Sequence, residues 1–277
     1  MSATAQLTPI SLDIASPYGD VRVRYAFDLE SDVQRHMHTQ LDEGRFYEPA
    51  TSRMLASVLQ PGDTFIDIGA HVGYFSMLAA AIVGAEGEVI AFEPSPDNFR
   101  HLVEHIALNG CTNVLPLHLA LADRDGVAPL HLNSDNDGGH ALWDVGVHDD
   151  NHKSRANPRA HPAYVTQLDR VLRGRPIRSL KAIKLDVEGS EVLALRGAAD
   201  TLARYQVPFV IAEVNRSGLE LLGTSERELR EMMTRFGYET WILQDAEPEL
   251  VPLADDVTVT GNYVFNLLFR RRGAVIG

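Results

Sequence analysis

Asp67, Glu93, Asp186 and Glu213 each stand inside or at the end of a short β-forming run. The runs read T-F-I-D-I (Thr64–Ile68), E-V-I-A-F-E (Glu88–Glu93), A-I-K-L-D (Ala182–Asp186) and F-V-I-A-E (Phe209–Glu213). A carboxylate held at the end of a buried strand can act as a base with a raised pKa or as a ligand for a hard divalent cation. Asp186 opens D-V-E-G-S-E, so Glu188 lies close by in the chain. Helix capping by Ser190, with Glu191 in the first turn, would account for those two residues. It does not account for Asp186. Histidines number 11, and five fall between His131 and His161. The spacings of His140, His148, His152 and His161 match no usual metal-ligand motif. His140 alone is kept as a candidate, because Gly138-Gly139-His140-Ala141-Leu142-Trp143 joins flexible backbone, a titratable ring and an aromatic wall. The catalytic candidates are thus Asp186 and His140 as base, with Glu188 and Glu213 in support. Asp186 and Glu213 are also the candidate ligands if a divalent cation such as magnesium takes part.

Asp67 is followed by two glycines, in D-I-G-A-H-V-G-Y-F-S (Asp67–Ser76). A strand that passes through a glycine turn into a helix brings main-chain N–H groups close to a ligand. A dinucleotide fingerprint needs a further glycine at position 71, where this chain has His. An acid before the turn and another about 20 residues on, at the end of the next strand, suit a nucleoside that carries positive charge. S-adenosylmethionine meets that description, with Asp67 toward its ammonium-bearing end and Glu93 accepting both ribose hydroxyls. Asp67, Gly69, Ala70, His71, Gly73, Glu93, Pro94 and Ser95 are the cofactor candidates on this reading.

These side chains need a sheet to carry them. Ile10–Ile14 and Val21–Tyr25 alternate as strands around the turn formers Ser16–Asp20, which predicts an N-terminal hairpin. Helices are expected over Asp32–Leu41 and Ala50–Leu59. From Thr64 strands and helices alternate, with strands at Thr64–Ile68, Glu88–Phe92, Val114–Leu117, Ala182–Asp186, Phe209–Glu213, Tyr238–Leu243 and Tyr263–Phe269. Helices are expected at Tyr74–Ile82, Pro96–Asn109, Glu191–Tyr205 and Ser225–Phe236. Such alternation predicts an α/β fold with a largely parallel sheet covered on both faces. Ligands of such sheets sit beyond the carboxyl ends of the strands, which places the four acids around one crevice. The polar stretch Asn133–Tyr164 breaks the pattern and reads as a long loop over that crevice, with Trp143 as a flat wall and His140 facing a second bound molecule.

At 277 residues the chain suits one α/β domain (46–277) with an N-terminal hairpin-and-helix extension (1–45). A net charge of −13 argues against nucleic acid as a partner. One cysteine excludes an internal disulfide or a cysteine-based zinc site. No apolar run reaches the roughly 18 residues of a membrane span, and Met1–Pro9 lacks the pattern of a signal peptide, so a cytoplasmic protein is expected.

The segments Asp67–Ser76, A-F-E-P-S-P-D-N-F (Ala91–Phe99), L-D-V-E-G-S-E (Leu185–Glu191) and I-A-E-V (Ile211–Val214) together resemble the FkbM-type S-adenosylmethionine-dependent methyltransferases. Asn109, Asn113 and Ala120–Asp123 also sit where that family has similar residues, and the likeness runs from about Phe46 to Phe269. It implies a Rossmann-like seven-stranded sheet, mostly parallel with the last strand antiparallel. The implied reaction is methyl transfer, commonly to a hydroxyl on a sugar, glycan or secondary metabolite. Asp67, Gly69, Gly73 and Glu93 would hold the cofactor, and Leu121 or Ala122 would border the adenine. His71 departs from the asparagine commonest in the family. Two rivals stand beside this reading, a nicotinamide-dependent oxidoreductase on a similar sheet and a nucleoside-binding module without chemistry.

Overall fold

A computed structural model describes residues 7–15, 19–257, 259 and 264–276. Ser16, Pro17 and Tyr18 of the expected turn, and Tyr263 at the start of the expected last strand, lie outside the described residues. The chain opens with an antiparallel hairpin of β1 (Leu7–Ile14) and β2 (Val21–Asp28), then α1 (Asp32–Asp42) and α2 (Pro49–Val58). Alternation follows: β3 (Thr64–Ile68), α3 (Tyr74–Val83), β4 (Glu88–Phe92), α4 (Pro96–Asn109) and β5 (Val114–Leu117). An inserted region holds β6 (Ala120–Leu121), β7 (Gly126–His131), the short helix α5 (His152–Ala156), β8 (Ala160–Thr166) and α6 (Leu168–Val171). The second half runs β9 (Leu180–Leu185), α7 (Glu191–Arg196), α8 (Ala199–Tyr205), β10 (Phe209–Asn215), α9 (Arg216–Leu221) and α10 (Glu226–Arg235). It closes with β11 (Tyr238–Leu243), β12 (Leu250–Pro252) and β13 (Val264–Arg271).

The main sheet has the order β5-β4-β3-β9-β10-β13-β11-β12. Its first five strands are parallel, and β13 runs antiparallel to both β10 and β11. The seven expected strands are all present, and β12 adds an eighth, three-residue edge strand. Chain order reverses between β3 and β9, the position where open α/β sheets leave a crevice.

Strand residues alternate between two apolar layers because successive side chains point to opposite faces. Phe65, Val89, Ala182 and Ile211 pack under α2, α3 and the hairpin. Ile66, Ile90, Ile183 and Val210 pack under α7, α8 and α10. The extension shares the first layer. Tyr25 stacks on Tyr74 at 5.3 Å between ring centres, and its hydroxyl donates to the Tyr74 carbonyl at 3.0 Å. The His105 ring accepts from the Ala26 N–H at 2.9 Å, which fixes β2 against α4.

Two expectations are corrected and one helix is added. The single helix expected over Glu191–Tyr205 is two, α7 and α8, divided at Gly197, where a Cβ would stand 2.0 Å from the Ala122 carbonyl oxygen. The helix α9 was not foreseen. Asn133–Tyr164 is not all loop: its end enters β8, which pairs with β6 and β7 in a small separate sheet. Only Ala163 and Val165 of β8 are buried, so the strand shows no apolar alternation over its length. Among the described residues no helix is long and apolar enough to cross a membrane.

Candidate active site

A cleft opens at the carboxyl ends of β3, β4, β9 and β10, beneath the turn 133–142 and the α1–α2 connection. It holds about 1030 Å³ of unfilled space, open mouth included. One side is built on the glycine turn. Gly69 has φ +82°, and a Cβ there would stand 1.8 Å from the Asp186 carbonyl oxygen. The closeness of β3 and β9 therefore requires glycine at this position. Gly73 has φ +89°, and a Cβ there would meet a Leu102 methyl at 2.5 Å. His71, between them, also has positive φ, at +51°.

Glu93 closes this side. Its Oε2 accepts the His71 main-chain N–H at 2.8 Å and its Oε1 accepts the Ser95 N–H at 2.7 Å. The carboxylate is thereby oriented, and each oxygen keeps a second lone pair. Burial pushes its pKa up to about 7, against the pull of those two N–H groups and of His71. Phe92, Leu119 and Leu121 add apolar wall beside it.

The other side is acidic. Glu48, Asp186, Glu188 and Glu213 line the cleft, with Lys184 among them. One oxygen from each of Glu48, Asp186 and Glu213 lies within 4.8 Å of the others, so three potential metal ligands gather here. The Lys184 ammonium is 2.8 Å from Asp186 Oδ2 and 4.6 Å from the centre of the Phe75 ring, with its side chain 2% exposed. Burial opposes its charge, but Asp186, Glu48, Asp67 and Glu213 outweigh that and raise its pKa. Burial, with Asp186, Glu48 and Glu188 adding repulsion, raises Glu213 well above the usual carboxylate range. No hydrogen-bond donor reaches its carboxylate among the described residues. Glu188, at φ +51°, accepts from Asn215 Nδ2 at 2.7 Å, and burial together with Asp186 brings it to about 7. The Asn215 amide cannot flip freely, because its Oδ1 already accepts the Gly218 N–H at 3.0 Å.

The roof is self-organised. Asn133 Oδ1 accepts from the N–H groups of Asp135 and Asn136, and His140 Nδ1 accepts the Asn133 N–H at 3.0 Å. Burial lowers the His140 pKa to about 4, so its ring is neutral at neutral pH. With Nδ1 accepting, the ring proton sits on Nε2, and His140 offers the cleft a donor instead of a base. Trp143 is no free wall. It is 7% exposed, and its indole N–H donates to the Glu188 carbonyl at 2.6 Å. Ala141 and Leu142 line the cleft in its place.

The structure thus brings Gly69, Ala70, His71, Glu93, Pro94, Leu121, His140, Asp186, Glu188 and Glu213 to one cleft. Asp67 and Gly73 stand behind it. Asp67 is 1% exposed, its Oδ2 accepts the Ser76 hydroxyl at 2.6 Å, and its Oδ1 has no partner. Ser95 contributes only its N–H, and Ala122 is buried against Gly197. Ser190 does not cap α7 with its hydroxyl, which has no partner; the Glu191 carboxylate takes the Gly189 N–H at 2.9 Å. Lys184 and Glu48 were missed as site residues. Lys184 was readable as the cation of the run A-I-K-L-D, two residues before Asp186. Glu48 carried no signal, since only the tertiary fold sets it beside Asp186.

The methyltransferase FkbM domain model matches residues 67–240. A Dictyostelium discoideum protein named probable caffeoyl-CoA O-methyltransferase 1 is 28% identical over 42% of this chain and 55% of its own length. The hexuronic acid methyltransferase AglP of Haloferax volcanii is 26% identical over 59% of this chain and 60% of its own. The chain therefore spans a little over half the length of these curated relatives. A solved FkbM methyltransferase from Methylobacillus flagellatus KT is 13% identical, with a TM-score of 0.47, over 79% of this chain and 50% of that one. The family match covers more than half of the sequence and contains the glycine turn, Glu93, Asp186 and Glu213: the chain belongs to the FkbM methyltransferase domain family.

Proposed function

We propose that this protein transfers a methyl group from S-adenosylmethionine to a hydroxyl of a sugar, glycan or other small molecule. The observation that carries the reading is the Glu93 carboxylate, fixed by two main-chain N–H groups at the rim of the glycine turn with an acceptor lone pair left on each oxygen. That arrangement suits the paired hydroxyls of a ribose. Phe92, Leu119 and Leu121 suit an adenine, and the acids across the cleft suit a sulfonium. When bound, the cofactor supplies an electrophilic methyl group.

The chain's own residues align the acceptor and take its proton. Lys184 occupies one Asp186 oxygen, so Asp186 serves better to orient than to deprotonate. We assign the base to Glu213, whose carboxylate lacks a donor and has a raised pKa. Glu188 supports it, and His140 donates from Nε2 to an acceptor oxygen. A second reading has specific support: Glu48, Asp186 and Glu213 lie close enough to share a divalent cation, which would acidify the hydroxyl instead. Lys184 already supplies a positive charge within that group, which favours the metal-free form.

The proposal takes residues 1–45 as an extension of the 46–277 domain, and a cytoplasmic protein with no nucleic-acid partner, in keeping with the net charge of −13. Calorimetric titration with S-adenosylhomocysteine and NAD tests the function. Binding of the first alone supports methyl transfer; binding of NAD alone restores the oxidoreductase. Binding without methyl transfer to any hydroxyl acceptor leaves a nucleoside-binding module.

A further inference from the structure

His71 stands at the centre of the glycine turn, and its main chain is hydrogen-bonded to Glu93. Its ring points elsewhere. Nε2 lies 3.5 Å from Oδ2 of Asp137, with the two side chains 14% and 27% exposed. At that distance the contact is an ion pair whenever the ring is protonated, and no aligned hydrogen bond is formed.

Asp137 is the fastening point of the roof. Its Oδ1 accepts the Ser31 hydroxyl at 2.7 Å and its Oδ2 the Gln34 amide at 2.9 Å, both from the N-terminal extension. Its carbonyl accepts from Asn98 of α4 at 3.0 Å. One residue thus joins the roof, the extension, α4 and the glycine turn. The rest of the turn 133–140 is bonded mainly within the inserted region, through Asn133, Asn136, His140 and Ser154. Asn136, Gly138 and His140 of this turn face the cleft.

We propose that Asp137 is a positioning residue that holds the roof closed through protonated His71, so that filling the nucleoside side of the cleft and closing the acceptor side are coupled. This rests on the reading of Glu93 and the glycine turn as the cofactor seat. The coupling is reciprocal: a ligand that fixes Glu93 and the His71 main chain steadies the ring that holds Asp137, and a closed roof favours that ligand equally.

The charged and titratable groups around His71 are Asp137 and His140 from the roof, Glu93 from the end of β4, Asp186 after β9 and His105 from α4. Burial opposes the imidazolium, but Asp137, Glu93 and Asp186 outweigh it and raise the His71 pKa. A raised histidine pKa means that the tie is complete below the ordinary histidine value and is lost as pH rises through the higher value of the folded protein.

The test measures S-adenosylhomocysteine affinity and hydrogen exchange in residues 133–142 from about pH 5.5 to 8.5, across the ordinary histidine range. Wild type, Asp137→Asn, His71→Asn and the double variant are compared, with melting curves as a folding control. Ligand should protect 133–142 in wild type at low pH and progressively less at high pH. Each single variant should lose affinity about fivefold or more at low pH, lose the pH dependence of roof protection, and add little to the other in the double variant. Additive losses, or roof protection indifferent to pH and to both substitutions, overturn the proposal. If wild type binds no S-adenosylhomocysteine at any pH, the cofactor reading fails instead. The tie is then judged on the free protein, where roof protection must fall with rising pH in wild type and not in Asp137→Asn.

Discussion

The carbonyl oxygen of Asp186 occupies the space where a side chain on Gly69 would begin, 1.8 Å from the ideal Cβ position. The first glycine of the turn is therefore demanded by the neighbouring strand end, before any ligand arrives. Gly69→Ala should cost about 3 kcal/mol or more, since a backbone clash adds to an unfavourable positive φ. Gly73→Ala meets the tip of Leu102 and should cost about 1–2 kcal/mol, mostly from its backbone conformation. Urea unfolding of both variants without ligand checks this. Equal stability of wild type and Gly69→Ala would contradict the packing argument.

Lys184 and Asp186 should stand or fall together. Removing the carboxylate leaves an ammonium whose side chain is 2% exposed with its nearest partner gone. Asp186→Asn should thus lose on the order of 3 kcal/mol of stability. Lys184→Met combined with Asp186→Asn should recover part of that loss, measurable as a higher melting temperature than the single Asp186→Asn variant. Turnover of Asp186→Asn, read where the variant is folded, should fall on the order of 10²-fold if Asp186 orients the acceptor.

Glu93 gives a pH signature to the empty protein. Its folded pKa of about 7 lies above the ordinary 4.5. An acid raised on folding binds protons more tightly in the native state, so its stabilising contribution is complete below about pH 4.5 and is lost as pH rises through about 7. Unfolding free energy between pH 5 and pH 8 should drop more in wild type than in Glu93→Gln, by on the order of 2–3 kcal/mol. Identical pH slopes would show that Glu93 is not so perturbed.

With Lys184 as the cation of the acidic wall, chelators should leave turnover unchanged. Dialysis against a strong chelator, followed by assay with and without magnesium, decides this. Loss of activity that magnesium restores would move Glu48, Asp186 and Glu213 to the role of metal ligands.

The legible parts of this site are local in the chain. Thr64–Ile68, the glycine pair and Glu93 form one strand–turn–helix–strand unit, so residue types and spacing locate them before any tertiary contact is known. The acidic wall was half legible: Asp186 and Glu213 end adjacent strands, and the strand rule brings them together. Glu48 joins them from the segment between α1 and α2, and no spacing reports that approach. The contacts of His140 and Trp143 were hidden for a different reason. Their partners, the Asn133 N–H and the Glu188 carbonyl, are main-chain groups, and sequence carries no mark of which main-chain group a side chain will meet. The small sheet was hidden because β8 buries only two of its residues.

A crystal structure with S-adenosylhomocysteine bound tests the central claim most directly. The account predicts both ribose hydroxyls on the Glu93 carboxylate, the adenine against Phe92 and Leu121, and the sulfur facing Asp186 and Glu213. A ribose bound away from Glu93, or a sulfur turned from the acidic wall, would contradict it.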